Sequence, residues 1–61
     1  MAWHLRVIES EDGRWVCHWG RRKLDTHGEV EEALEHLREI ADEVGDFRFF
    51  VHHLGGTVTE L

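Results

Sequence analysis

The residues of this chain best suited to chemistry lie at positions 15–20, which read WVCHWG. The single cysteine, Cys17, precedes His18, one of six histidines, and both stand between two tryptophans. A thiol beside an imidazole is the pair that nucleophilic catalysis and metal binding use. In a β-strand, however, neighbouring side chains point to opposite faces, so these two cannot act together. We therefore interpret Cys17 as a small buried hydrophobe whose thiol pKa is raised by burial.

Three histidines form a second candidate site. The expected strand alternation puts His4, His18 and His52 on one outer sheet face, where three imidazoles and a water would make an open zinc site. Their spacing is neither that of a zinc finger nor that of an HExxH helix, so we expect no metal and no other cofactor. The chain contains no nucleophile elbow and no phosphate-binding glycine loop. We expect a protein without enzymatic activity.

The length and cysteine content restrict how the fold is stabilised. Sixty-one residues predict one domain, 1–61, which buries only about 60% of its unfolded surface. One cysteine cannot form an internal disulfide, so oligomerisation or a metal is the expected additional support. The opening MAWHLRV has neither a basic leader nor a long apolar run, so we expect a cytoplasmic protein without a membrane span.

The charge balance bears on partners. Thirteen acidic residues against seven Lys and Arg give a formal net charge of −6. Nucleic-acid binders usually carry a basic surface, so this charge argues against nucleic acid as a partner. Three of the basic residues lie in GRRK, residues 20–23, which we interpret as a solvated loop.

Two period-two segments predict a first β-hairpin. WHLRVIE (3–9) and RWVCHW (14–19) flank the turn signal SEDG. A three-residue loop over 11–13, with Gly13 left-handed, pairs Ser10 with Arg14 and Val7 with Cys17. A two-residue Asp12-Gly13 turn is the alternative. We favour the first register because it collects the apolar side chains on one face: Trp3, Leu5, Val7, Trp15, Cys17 and Trp19.

The strongest periodicity predicts an amphipathic helix of about four turns after a polar connection, GRRKLDTHG (20–28). Its apolar positions are Val30, Ala33, Leu34, Leu37, Ile40, Ala41 and Val44. Thr26 with Glu29 fits a capping box, Gly28 is an alternative cap, and Gly45 fits a left-handed C-cap.

The last segment predicts a second hairpin, FRFFVHH and TVTEL around a glycine pair that permits a primed turn. Alternation places Phe49, Val51 and Val58 on one face. The predicted fold is therefore α+β, ββαββ, with one amphipathic helix packed on one face of a small antiparallel sheet built from two hairpins.

The predicted outer face is too apolar for a solvated sheet and suggests an interface with a second copy or a protein partner. Its expected members are His4, Arg6, Ile8, Val16, His18, Phe50, His52 and Leu54. We expect a homodimerising or protein-binding module.

Most of the chain resembles the bacterial domain-of-unknown-function family 2188, through WHLRV, DGRWVCH, EVEEALEHLREIA and FFVHHLGGTV. That resemblance implies the ββαββ fold and no established activity. The middle of the chain also resembles HicB-type antitoxins, through DGRWV and GEVEEALEHLREI. The second resemblance implies a small basic toxin as partner, and the family's third strand before the helix would have to fit within RRKLDTHG.

Overall fold

The computed structural model describes residues 2–61, which form one helix and one five-stranded sheet. The elements follow the order β1 (Trp3–Glu9), β2 (Trp15–Trp19), β3 (Arg22–His27), α1 (Val30–Val44), β4 (Phe47–His52) and β5 (Val58–Glu60). The strand order across the sheet is β3-β2-β1-β4-β5. A helix packed on one face of a small sheet confirms the predicted α+β class.

The sheet differs from the prediction in two ways. It has five strands, because residues predicted as a connection form β3. It is mixed, because β1 and β4 run parallel while the other neighbours run antiparallel. The parallel pair follows from the topology: α1 is the crossover that returns the chain to the same end of the sheet, as parallel neighbours require.

The first hairpin has the favoured register. The N–H of Gly13 donates to the carbonyl of Ser10 at 3.0 Å, and that of Ser10 to the carbonyl of Arg14 at 2.9 Å. Gly13 has a φ of +82°, which favours glycine. Val7 then lies opposite Cys17, which confirms the register predicted from the three-residue loop.

The core lies between α1 and the sheet. Ala33, Leu37 and Ala41 on the helix are buried against strand residues that include Leu5 and Val7. Cys17 and Phe49 complete the same cluster. The predicted apolar face of the helix is confirmed, since its central residues are the buried ones.

The ends of the helix are only partly as predicted. Glu29 is the N-cap and makes no side-chain capping bond, so the predicted capping box is wrong. Thr26 cannot cap α1 because it belongs to β3, where it pairs with Val16. At the other end Gly45 has a φ of +82° and donates its N–H to the carbonyl of Ala41 at 3.1 Å.

The second hairpin has a turn of three residues, 54–56, between His53 and Thr57. The N–H of His53 donates to the carbonyl of Thr57 at 2.8 Å. Val58 therefore pairs with His52 and lies on the outer face, while Thr59 pairs with Val51. The predicted placement of Val58 beside Val51 is wrong, because the longer turn moves β5 by one residue.

Among residues 2–61 there is no helix with both the length and the apolar character needed to cross a membrane.

Candidate functional site

The outer face of the sheet is the side opposite α1, and it carries the predicted interface residues with one exception. Leu54 lies in the turn between β4 and β5, where its N–H donates to the carboxylate of Glu9 at 3.0 Å. Leu54 is therefore beside the sheet rather than on it. The strand registers place the remaining residues together: His4, Arg6, Ile8, Val16, His18, Phe50 and His52.

Arg6 occupies the centre of the outer face. It lies on β1, the middle strand, opposite His18 on one side and Phe50 on the other. One of its guanidinium nitrogens donates to the carbonyl of Gly20 at 2.6 Å. Its Nε is buried and has no hydrogen-bond partner among the described residues. No carboxylate is bonded to this half-buried guanidinium among the residues that the structure describes.

Other cationic and imidazole groups surround Arg6. Burial lowers the pKa of His18, and the charges of Arg6, Lys23 and His52 lower it further. His18 is therefore neutral at pH 7. Burial is the larger cause of the lowered pKa, and the smaller contributions come from positive groups that gather near His18.

Phe50 forms the aromatic centre of this face. The ring of His4 meets it edge-on with centroids 5.5 Å apart, and the guanidinium carbon of Arg48 lies 5.3 Å from its centroid. Arg48 also donates two hydrogen bonds to Glu60, at 2.8 and 3.0 Å. Glu60 is the one carboxylate that register places on the outer face, among the strand residues described. A shallow cavity of about 210 Å³ opens beside Phe50.

The three histidines predicted as low-probability metal candidates do not form a metal site in the described chain. His18 pairs with Arg6, His4 pairs with Arg48, and His52 pairs with Ile8. The three histidines therefore lie at different heights of the sheet. The sheet thus separates them along its strands, with Arg6 between. No group of His, Cys, Asp or Glu on this face is close enough to share an ion among residues 2–61.

A different set of donors comes together on the opposite face, between the sheet and α1. Cys17 on β2, Asp25 and His27 on β3 and His36 on α1 each offer one donor atom, and these atoms lie within 4.8 Å of one another. We call this group the edge cluster. Nδ1 of His36 and Nε2 of His27 lie 3.0 and 2.9 Å from the same carboxylate oxygen of Asp25.

Cys17 is the buried member of the edge cluster. Its side chain is fully buried, and its thiol lies 3.6 Å from the carbonyl of Ala33. Burial raises the pKa of Cys17 to about 12, and the nearby carboxylate of Asp25 raises it in the same direction. The prediction of a core thiol with a raised pKa is confirmed. The prediction missed its three polar neighbours, although the pair Asp25-x-His27 has the i, i+2 spacing of one strand face.

The basic segment GRRK is exposed but is only partly a loop. Arg21 lies in the tight connection after β2, while Arg22 and Lys23 begin β3. A cavity of about 390 Å³ lies between Trp3, Trp19 and these two arginines at the end of the sheet. The exposure of the segment agrees with its predicted solvation. The prediction of a loop is wrong for Arg22 and Lys23, because these residues belong to β3.

No protein-family model, no curated protein and no solved structure matches this chain. The resemblances to family 2188 and to HicB-type antitoxins therefore stay predictions.

Proposed function

We propose that the protein is a binding module whose outer face takes an acidic segment of a partner protein. The observation that carries the proposal is the position of Arg6, a half-buried guanidinium at the centre of the sheet with no bonded carboxylate. Ile8, Val16 and Phe50 supply apolar contact surface around it. Interfaces commonly combine such a desolvated centre with a polar rim.

The charge of Arg6 selects the partner. A protein that covered this face would remove water from the guanidinium, and an uncompensated buried charge costs several kcal/mol. A carboxylate placed over Arg6 compensates that charge and adds a strong hydrogen bond. The positive charge of Lys23, which lies near enough to His18 to lower its pKa, favours the same negative group.

A second copy of the chain fits this face less well. A two-fold axis through the centre of the face would bring two Arg6 guanidinium groups into one interface, where like charges repel. Homodimerisation through the outer face remains a prediction, and the experiment below tests it. Nucleic acid carries a negative charge at every phosphate, which the formal net charge of −6 repels, whereas a protein segment can place a single carboxylate over Arg6. We therefore favour an acidic protein segment.

The test is a titration of the isotope-labelled full chain, followed by backbone amide shifts, with a peptide that alternates glutamate and leucine. We expect shifts confined to the strand residues of the outer face around Arg6. Arg6→Glu should weaken binding at least about tenfold, since it removes a charge-assisted bond. Arg38→Glu, a matched charge reversal at an exposed position of α1, should leave the affinity for the peptide unchanged.

Three results would overturn the proposal. The first is an absence of shifts with the acidic peptide while a lysine-for-glutamate peptide binds. The second is tighter binding of single-stranded oligothymidine to the same amides, which would assign the face to nucleic acid. The third is a concentration-dependent dimer in sedimentation that Phe50→Glu dissociates, which would assign the face to a second copy.

We propose as a second candidate an antitoxin-like role, in which α1 binds a small basic protein. Two observations favour it. The resemblance to HicB-type antitoxins implies a strand within RRKLDTHG, and β3 occupies Arg22–His27. The solvent side of α1 also exposes a run of carboxylates: Glu31, Glu32, Glu35, Glu39, Asp42 and Glu43.

The antitoxin proposal predicts a short gene for a basic protein beside the gene for this chain. Expression of that basic protein should arrest growth, and co-expression of the chain should restore it. A variant carrying Glu35→Lys and Glu39→Lys should fail to restore growth, whereas Arg6→Glu should restore it fully. Absence of such a gene, or equal rescue by the double variant, would refute this role.

A further inference from the structure

We propose that the edge cluster is a zinc site, with Cys17, Asp25, His27 and His36 as the four ligands. The site is separate from the outer face and does not depend on the proposed binding function. It consists of one sulfur, one carboxylate oxygen and two imidazole nitrogens, whose atoms lie within 4.8 Å of one another.

The fold brings these donors together from three elements. Asp25 lies directly across from Cys17 in the β2–β3 pair, and His27 follows Asp25 on the same face of β3. His36 reaches the cluster from the side of α1 that packs on the sheet, within one turn of the buried Ala33. The site therefore lies where the edge strand, its neighbour and the helix meet.

A register shift in β3 adjusts the strand around the site. The pairing slips between Cys17 and His18, so that His18 lies opposite Lys23 and Leu24 is left as the extra residue. Leu24 packs against the core, and the next residue, Asp25, faces His36. A bulge commonly re-aims side chains next to functional sites, and this one permits consecutive residues to face α1.

The spacing of the donors suits a tetrahedral ion after a small adjustment. Zinc bonds of about 2.0 to 2.3 Å place neighbouring donors roughly 3.3 to 3.8 Å apart. The two imidazole nitrogens already lie 2.9 and 3.0 Å from Asp25. An ion between them would move the Asp25 oxygen and the two nitrogens apart by less than about 1 Å, while any donors as far as 4.8 Å apart would move closer together.

The hydrogen bonding of the cluster is incomplete without an ion. Nε2 of His27 is buried and makes no hydrogen bond with any residue from 2 to 61, although it lies 2.9 Å from a carboxylate oxygen of Asp25. Buried polar nitrogens normally make well-aligned hydrogen bonds, so one that lies this close to a carboxylate without hydrogen-bond geometry needs an explanation. A metal ion bound to Nε2 supplies it. The carboxylate of Glu32 lies 3.8 Å from Nδ1 of His27, which is close enough for attraction to a charged ring but too far for a hydrogen bond.

The donor set selects the metal. Calcium and magnesium require oxygen ligands, which this site has in only one residue. Copper(I) prefers soft sulfur ligands, whereas the carboxylate and two imidazoles suit a borderline ion such as zinc. Four protein ligands close a tetrahedron, so the ion would be structural rather than catalytic. It would join β2, β3 and α1 in a chain that has no disulfide.

The experiment uses the chelator-treated full chain, with Co²⁺ as a spectroscopic substitute and Zn²⁺ as the metal itself. We expect one ion per chain, tetrahedral cobalt bands and a thiolate-to-cobalt charge-transfer band. At a hundredfold excess of Zn²⁺ over its Kd, the Tm should rise by more than about 10 °C. Zn²⁺ should displace Co²⁺ from the site.

The variants separate a ligand role from a structural one. Cys17→Ser should remove the charge-transfer band, and His36→Ala and Asp25→Asn should each weaken Co²⁺ binding more than tenfold. His36→Ala changes a partly exposed side chain, so it tests the site even if Cys17→Ser fails to fold. His18→Ala on the outer face is the matched control and should leave the affinity for Co²⁺ unchanged.

Two outcomes would overturn the proposal. One is a folded chain, verified by circular dichroism, that takes up no stoichiometric Co²⁺ at neutral pH and shows no zinc-dependent Tm. The other is binding that survives in His36→Ala and Asp25→Asn but is lost in His18→Ala. The first outcome would leave the edge cluster as a His-Asp-His group in which Asp25 is hydrogen-bonded to His36, and the second would return the metal to the outer face.

Discussion

The carboxylate of Asp25 lies 3.0 Å from Nδ1 of His36, so these two side chains join the edge strand β3 to α1. The same carboxylate lies 2.9 Å from Nε2 of His27. Both contacts are partly exposed, which limits their contribution. The contact between Asp25 and His36 still helps to hold β3 in place, because β3 lies at the edge of the sheet and has one strand neighbour.

Asp25→Ala should lower the free energy of unfolding by about 1 kcal/mol in metal-free protein, because His36 loses its hydrogen bond and His27 loses the carboxylate 2.9 Å from its Nε2. Urea denaturation in the presence of a chelator measures this. Asp46→Ala, at an exposed position after α1, is the control and should change stability by less than about 0.5 kcal/mol. Equal effects of the two variants would show that the contact contributes nothing.

The glycine pair in the second hairpin provides a test of the turn itself. Gly56 has a φ of +96°, while Gly55 has no positive φ, and neither would bring a Cβ within 4 Å of another group. Gly56→Ala should therefore cost roughly 1 kcal/mol through backbone strain alone. Gly55→Ala should be neutral or slightly stabilising. Thermal unfolding of both variants measures the difference, and equal melting temperatures would contradict the assigned turn.

The parts of the fold that could be predicted are those fixed by local chemistry. The turn at Gly13 sets the register of β1 and β2, and a register error would move one strand's apolar residues to solvent. The helix is fixed in the same way, because Ala33, Leu37 and Ala41 recur at helical spacing and are buried. Local signals and burial agree at these residues, so sequence reasoning succeeds.

The strand β3 could not be predicted because its buried face is mostly polar. Asp25 and His27 face α1 there, and the bulge at Leu24 interrupts the alternation that marks a strand. These polar side chains are accommodated through one another and through His36, nine residues further along. A hydrophobicity pattern cannot detect that compensation, so it indicates neither the strand nor the edge cluster.

The outer face was predictable in membership but not in electrostatic character. Alternation along the strands placed Arg6, His18 and Phe50 on one face correctly. That Arg6 lies at the centre depends on β1 being the middle strand, which follows from the parallel pairing with β4. Strand order is set by tertiary packing, so the sequence gives no direct signal for it.

Leu37→Asp should prevent folding, because it would place an unpaired charge in a fully buried position of a small core. Leu37→Ala should lower the free energy of unfolding by about 2 to 5 kcal/mol, which is a large share of the stability of so small a domain. Circular dichroism and urea denaturation measure both variants. Arg38→Asp, at the neighbouring exposed position, should remain folded. A folded Leu37→Asp would mean that the helix face is wrongly assigned.

The lowered pKa of His18 makes the free energy of unfolding depend on pH. Its pKa is lowered, first by burial and then by the charges of Arg6, Lys23 and His52. The unfolded chain therefore takes up a proton near pH 6.5, before the folded chain does, and stability falls as pH decreases below that value. His18→Gln should reduce this loss between pH 6.5 and 5. Urea denaturation across that range measures it, and equal slopes for both proteins would contradict the assignment.

The thiol of Cys17 should be unreactive in the native protein without metal. It is fully buried, and burial with the adjacent Asp25 raises its pKa to about 12, so almost no thiolate is present at pH 8. Alkylation by iodoacetamide, followed by mass spectrometry in the presence of a chelator, should proceed only as fast as the chain opens. In denaturing urea the same thiol should react completely. Rapid modification under native conditions would show an accessible, activated thiol, which contradicts its place in the core beneath α1.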